Sequence, residues 1–383
     1  MKEAYLIPNF AHRTGFHCES SSMRDVFEYY GFPMSEEIVF GLDGTMGFGF
    51  FDFSDRFTGG DLSELPLFVG GKQDTITPKS LACRLLGIRL LKQSFSSAEK
   101  AWQTSKELIL NDIPLMLQVD LGYFDYLQGE NIQEEDRIHF GGHIVTLAGF
   151  DKTKGIAYIG DSSYKGFQEV PIESLKQARS SIHGPTFLQP NNAQFSMEPR
   201  ADGKHPPLAA GLKLAIKKVV DNMLRPSMNN NGIQGLKNFS ENILNWDEKL
   251  NETVKNSVSG KEMSLARYTF EIIHGYIEEW GTGGALFRNL YKSFLEELLK
   301  TPEIKQGPKA WKEEELRIIE TCLPLINDSA TRWTEFANTL KEAAQIHKEN
   351  CVKHVSLPEL SGKINKISLI EEELFSNLLK IKL

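Results

Sequence analysis

The periodicity of this 383-residue chain changes once, near residue 190, and that change limits what it can fold into. Before it, short helical patterns alternate with strand-like ones. In "ESSSMRDVFEYYG", Met23, Val26, Phe27 and Tyr30 recur at helical spacing, and Gly31 is a residue suited to ending the helix. "TPKSLACRLLG" opens on a threonine cap with proline at the first helical position, and "AEKAWQTSKELILND" adds another helix. "IPLMLQVDLGYF", "GGHIVTLAGF" and "GIAYIGDSS" read as strands. Helices first and strands later predict an α+β domain over residues 1–190 with a mostly antiparallel sheet. "QPNNAQFSMEPRADGKHPPLAAG" is rich in Pro, Asn and Gly and has no period, so residues 191–210 read as a linker. From 211 to 383 the periodic stretches are helical; in "ALFRNLYKSFLEELLK", Phe287, Tyr291, Phe294 and Leu298 share one face. The second domain is therefore expected to be all-α, and its apolar stripes leave room for a homodimer.

Composition excludes several function classes. A net charge of −8 offers no basic face, so nucleic acid is not an expected partner. No apolar run approaches the roughly 20 residues of a membrane span. The opening "MKEAYLIPNFAHR" lacks the apolar core of a secretion signal, and a cytoplasmic location is the expectation. Cys18, Cys83, Cys322 and Cys351 are scattered without a CxxC pair, which argues against a disulfide framework or a zinc knuckle.

Chemistry concentrates around "GFHCESSSMRDVFEYYGF". It puts Cys18 in the first turn of the first helix, where unpaired N–H groups and the helix dipole favour an anion. Thiols in such settings, beside a histidinium, ionise more readily than free ones. An inert buried cysteine is the alternative, and the polar neighbours His17, Glu19 and three serines argue against it. A nucleophile of this kind needs a histidine and a group that orients it. "GGHIVTLAGFDKTKGIAYIGDSS" supplies both on one predicted hairpin: His143 opens the first strand and Asp161 closes the second. A turn centred on Thr153 puts His143 opposite Ser163, with Asp161 a diagonal neighbour on the same face. A slip of one residue points Asp161 the other way. Cys, then His, then Asp in that order is a candidate catalytic triad.

These stretches carry a resemblance. "GFHCESSSMRDVFEYYGFPMSEEIVFGL", with the later "GGHIVTLAGFD" and "IGDSS", resembles the N-terminal domain of the butirosin-biosynthesis protein H family. "GYIEEWGTGGALFRNLYKSFLEE" is similar to the helical domain that accompanies it. The Cys–His–Asp order also resembles, more distantly, papain-like folds and the peptidases that trim bacteriocin leaders. The resemblance implies a papain-like catalytic domain that transfers an acyl or aminoacyl group from a carrier-protein thioester to an amine. It implies Cys18 as nucleophile, His143 as base and Asp161 as its orienting partner. Papain-like enzymes place an oxyanion-binding glutamine before the nucleophile, and this chain has none there; His12 and His17 are the candidate donors, with backbone amides the alternative.

Other signals weigh less. "HFGGH" has the four-residue spacing of zinc ligands, but it leads into a strand and not a helix, so no metal is expected. "GTGG" lacks the lysine of a phosphate loop and reads as a corner between helices. "GLDGTMGFGFF" is too glycine-rich for regular structure; Phe48, Phe50 and Phe51 either wall an acyl pocket or sit in a surface loop. The acidic "DFSDRFTGGD" and "QGENIQEED" either attract a cationic amine or are solvated faces. Arg288 is either structural or meets phosphopantetheine or the acidic surface of a carrier protein. The expected partners are an acyl carrier protein or coenzyme A thioester and a small amine, with no cofactor resident on the chain. A cysteine hydrolase and a non-catalytic binding protein are the competing expectations.

Overall fold

The computed structural model describes residues 2–54, 66–73, 80–129, 137–184, 186–204, 206–255, 262–346 and 350–383. Chain order begins with β1 (Ala4–Leu6), α1 (Cys18–Tyr29), α2 (Glu36–Asp43), β2 (Met46–Asp52) and β3 (Leu67–Lys72). Then come α3 (Ser80–Leu85), β4 (Ile88–Gln93), α4 (Ala98–Leu110), β5 (Leu115–Val119) and α5 (Asp125–Gln128). β6 (His143–Asp151), β7 (Ile156–Gly160), β8 (Phe167–Pro171), α6 (Ile172–Ser180) and β9 (Gln194–Pro199) complete the strand-rich part. The rest comprises α7 (Leu208–Leu224), α8 (Gly232–Ile243), α9 (Trp246–Lys249), β10 (Thr253–Lys255), β11 (Glu262–Ser264) and α10 (Leu265–His274). α11 (Arg288–Lys300), α12 (Glu313–Ile346) and α13 (Leu357–Leu378) close it.

The chain divides into two compact units, the first of residues 1–39 and 75–205, the second of residues 40–74 and 206–383. In the first, an antiparallel sheet runs β4-β9-β5-β6-β7-β8, and β1 adds to β6. Every residue of β5, and all of β6 after His143, is buried. A strand covered on both faces has no reason to alternate polar and apolar positions, which explains the unbroken "IVTLAGF". α1 packs against β6 through its apolar face; Met23, Val26 and Phe27 are each at most 1% exposed. Burying such side chains contributes roughly 1.5–3 kcal/mol apiece. The helix stops where Gly31 turns left-handed at φ 86°, and the Phe32 N–H closes back onto the Phe27 carbonyl at 2.9 Å.

The stretch expected to be a linker contains β9, which is hydrogen-bonded between β4 and β5. Phe195 and Met197 are buried there, so the strand is a core element and the first unit runs on to residue 205. Similarly, "GLDGTMGFGFF" is regular: it holds the end of α2 and β2, which pairs antiparallel with β3. In this part of the second unit Phe48 and Phe50 pack on Phe239, and Phe48 stacks on Trp333 at 5.8 Å. Among the described residues the second unit is predominantly helical, with two two-stranded sheets, β2–β3 and β10–β11. The chain as a whole is α+β. No helix among the described residues is long and apolar enough to cross a membrane. Thr77 and Pro78, and most of both acidic stretches, lie outside the described residues.

Candidate active site

Cys18 is the first residue of α1, partly exposed, with its approach held by backbone and buried charge. His17 is the N-cap: extended at φ −115°, ψ 123°, its Nδ1 accepts the Ser20 N–H at 3.3 Å. The Glu36 carboxylate accepts from the Phe16 and His17 amides at 2.9 and 2.8 Å and from the Ser20 hydroxyl at 3.1 Å. Burial pushes the Glu36 carboxyl above its ordinary range, more than those donors and Arg24 pull it down. The Arg24 guanidinium donates to the Thr14 and Arg13 carbonyls. The Gly15 N–H donates to the Ser162 carbonyl at 2.8 Å, which ties the loop to the turn after β7.

His143 and Asp161 come from neighbouring strands. β6 and β7 pair Thr146 with Gly160 and Leu147 with Ile159, the register that a turn at Thr153 predicts. A bulge between Leu147 and Gly149 shifts the far end of the hairpin and leaves this end in place. Asp161 follows β7 directly, fully buried, and its Oδ2 accepts from His143 Nε2–H at 2.7 Å. Oδ2 also accepts the Tyr126 hydroxyl at 2.9 Å, and Oδ1 the Ser163 N–H at 3.1 Å. Burial raises the Asp161 pKa, but the His143 charge and these donors outweigh it and hold the carboxyl near about 2. For His143 burial works against the charged ring, yet Asp161 first and Cys18 second lift its pKa well above the ordinary value. Its ring is hydrogen-bonded to the Cys18 side chain as well as to Asp161. With Nε2 given to the carboxylate, Nδ1 is the nitrogen that faces the sulfur. The structure therefore brings Cys18, His143 and Asp161 into one chain of contacts.

The remaining candidates lie elsewhere or have other partners. His12 is not an available oxyanion donor: Nδ1 meets Asp25 Oδ2 at 2.6 Å, and Nε2 meets the Asp161 and Tyr164 carbonyls at 2.9 and 3.0 Å. His17 spends Nδ1 as a cap acceptor, so that nitrogen does not donate. Phe48 and Phe50 are core of the second unit, 0% and 5% exposed, and not pocket walls. Phe51 is half-buried and stacks on Phe53. Arg288 belongs to the same core at 0% exposure, in a two-pronged ion pair with Glu371 at 2.8 Å for each prong. It also donates to the Gly47 and Leu286 carbonyls and lies over the Trp333 ring, which leaves it no surface for a carrier protein. His139 turns to Asp120 and stacks on His183 at 3.8 Å. Among the described residues no group of three or more His, Cys, Asp or Glu side chains is placed to hold a metal ion.

Two family models match the chain. Residues 17–162 match butirosin biosynthesis protein H, N-terminal, and residues 173–378 match a domain of unknown function, DUF4872. The second match covers more than half of the chain, which belongs to that DUF4872 family. No curated protein matches the chain. The butirosin-type match contains Cys18, His143, Asp161 and Tyr126, and it begins after His12. It also spans β2 and β3, which fold with the second unit, while the helical-domain match begins inside α6 of the first. Sequence reading missed Tyr126, Asp25 and Arg24. Tyr126 sits on the four-residue α5, too short to give a period. Asp25 and Arg24 did leave a signal, as charged residues flanked by the core positions Met23 and Val26 of α1.

Proposed function

We propose that this protein is a cysteine-dependent acyltransferase of natural-product biosynthesis. It takes an acyl or aminoacyl group from a carrier-protein or coenzyme A thioester and delivers it to an amine. The observation that carries the reading is the ring of His143, held by Asp161 through Nε2 at 2.7 Å and hydrogen-bonded to Cys18 at the head of α1. The butirosin-type description of residues 17–162 supplies the biosynthetic context.

His143 Nδ1 holds the proton given up by Cys18 while Cys18 Sγ attacks the thioester carbonyl carbon. The tetrahedral intermediate collapses, the bond to the donor sulfur breaks, and His143 returns the proton to the leaving thiolate. The amine then attacks the acyl-Cys18 carbonyl, His143 accepts a proton from the amine nitrogen, and the Cys18 sulfur leaves to recover it. Asp161, ionised throughout, fixes the ring orientation and stabilises the imidazolium. With His12 committed elsewhere, the Cys18 amide at the start of α1 is the donor suited to the oxyanion. The chain needs no cofactor of its own; a phosphopantetheine arm arrives as part of the donor.

The partition of the acyl-enzyme tests this reading. The protein is mixed with short acyl-thioesters, and intact mass is followed with and without added amines. Clearance of the adduct many-fold faster with amine, with amide product formed, is the expected result. Equal clearance in buffer establishes a hydrolase, and no adduct from any thioester points to a binding protein.

A further inference from the structure

The side chain of His12 is buried, 2% exposed, and it touches both halves of the site, at Asp25 on α1 and at the Asp161 carbonyl after β7. Among the described residues, its Nδ1 meets only a carboxylate oxygen, Asp25 Oδ2, at 2.6 Å. Among them its Nε2 meets only carbonyl oxygens, those of Asp161 and Tyr164, at 2.9 and 3.0 Å. Carboxylates and carbonyls accept and do not donate, so both ring nitrogens carry hydrogen and the ring is an imidazolium. Asp25 lies seven residues after Cys18, two turns further along the same face of α1. Its other oxygen is held by Arg24 at 2.8 and 3.0 Å, so the carboxylate is fixed before it meets the ring.

The opposite side is built to fit the imidazole. Gly160, the residue before Asp161, presents bare backbone to it: a Cβ there falls 2.8 Å from the ring. Phe167 of β8 covers the ring at 6.2 Å between centroids. The charged groups around it are Asp25 and Arg24 from α1 and, past its own backbone, Asp161 at the end of β7. We propose that His12 is a positioning residue: as an imidazolium it ties the helix that carries Cys18 to the strand end that carries Asp161, and so sets the reach of Asp161 to His143. Burial opposes the charge, and the Asp25 carboxylate with the two carbonyls overcomes it, raising the pKa of His12 above the ordinary value. The tie is a geometric inference; its bearing on catalysis rests on the acyltransferase reading.

The test uses the full chain labelled with ¹⁵N-histidine. At neutral pH, NMR is expected to show both His12 ring nitrogens protonated, a signal assigned by its loss in His12→Gln. The His143 Nε2–H proton, bonded to Asp161, is expected to shift upfield in folded His12→Gln and in Asp25→Asn. Iodoacetamide alkylation of Cys18 is expected to slow about tenfold in both, since small misplacements cost factors of ten to a hundred. In Asp25→Asn, which removes the carboxylate but keeps an acceptor for Arg24, a new ionisation is expected near the ordinary histidine value of about 6.5. The double variant is expected to lose no more than either single one. A His12 ring with one proton, or an unmoved His143 signal and alkylation profile in a folded variant, overturns the proposal. If Asp25→Asn fails to fold, the ring protonation assigned through His12→Gln still decides whether the tie exists; if His12→Gln fails to fold, the His12 signal is assigned by its change in Asp25→Asn. None of these readouts involves a thioester, so a protein that shows the tie but never forms an acyl adduct refutes the function and not the tie.

Discussion

At the scale of single residues, the His143–Asp161 pair makes both stability and reactivity depend on pH. Asp161 is depressed to about 2, below the roughly 3.9 of an unfolded aspartate. Its contribution is complete above that unfolded value and is lost as pH falls towards about 2. His143 is raised, so its contribution is complete below the unfolded histidine value of about 6.5 and fades as pH climbs through the folded one. Urea unfolding at stepped pH is expected to show both limbs, and Asp161→Asn is expected to flatten them; limbs that survive the substitution contradict the assignment. Tyr126→Phe removes one donor from Asp161 Oδ2, which raises the pKa of the carboxylate and moves the acid limb to higher pH. If His143 is the base of the proposed acyl transfer, His143→Ala is expected to slow that transfer by about 10²–10⁴. Cys18, His143 and Asp161 were legible in the sequence because their order and one hairpin register bring them together. The part played by His12 was not, since its partner carbonyl lies 149 residues away and a histidine's letter does not say which way its nitrogens face.

At the scale of elements, legibility followed whether local pattern and tertiary burial agreed. α1 reads as a helix because its period, cap and stop all point the same way. β2 does not read as a strand: Gly47 and Gly49 dilute it, and only packing of Phe48 and Phe50 on Phe239 and Trp333 makes it one. β9 was hidden by the Pro and Asn residues that flank it, although its own "QFSM" is wholly buried. The β6–β7 hairpin carries a tighter constraint at its site end. Gly160→Ala puts a methyl 2.4 Å from Thr146 Oγ1 and 2.8 Å from the His12 ring. Such overpacking is expected to cost about 1–3 kcal/mol in urea unfolding and to slow Cys18 alkylation together with it. Unchanged stability and unchanged alkylation count against the fit between Gly160 and His12.

At the scale of the whole molecule, the domains do not follow the chain. Residues 40–74 leave the first unit, join the second, and the chain then returns. No change of composition marks either crossing, because both units draw on similar apolar residues; the texture break near residue 190 was the only boundary the sequence displayed. A fragment ending at residue 205 keeps Phe48 and Phe50 but loses Phe239 and Trp333, the rings they bury against. That fragment is expected to bind a hydrophobic dye and to aggregate, and a dye-silent, cooperatively folding fragment contradicts the division. Arg288→Met strands the buried Glu371 carboxylate and is expected to cost about 3–5 kcal/mol, read as a lowered urea midpoint. The central claim is that Cys18 carries the acyl group. Peptide mapping of the full chain after brief mixing with an acyl-thioester tests it most directly. One acyl mass on the peptide holding Cys18, absent from Cys18→Ala and much slower to form in His143→Ala, is the predicted result. Acylation that survives Cys18→Ala, or that maps to Cys83, Cys322 or Cys351, would contradict it.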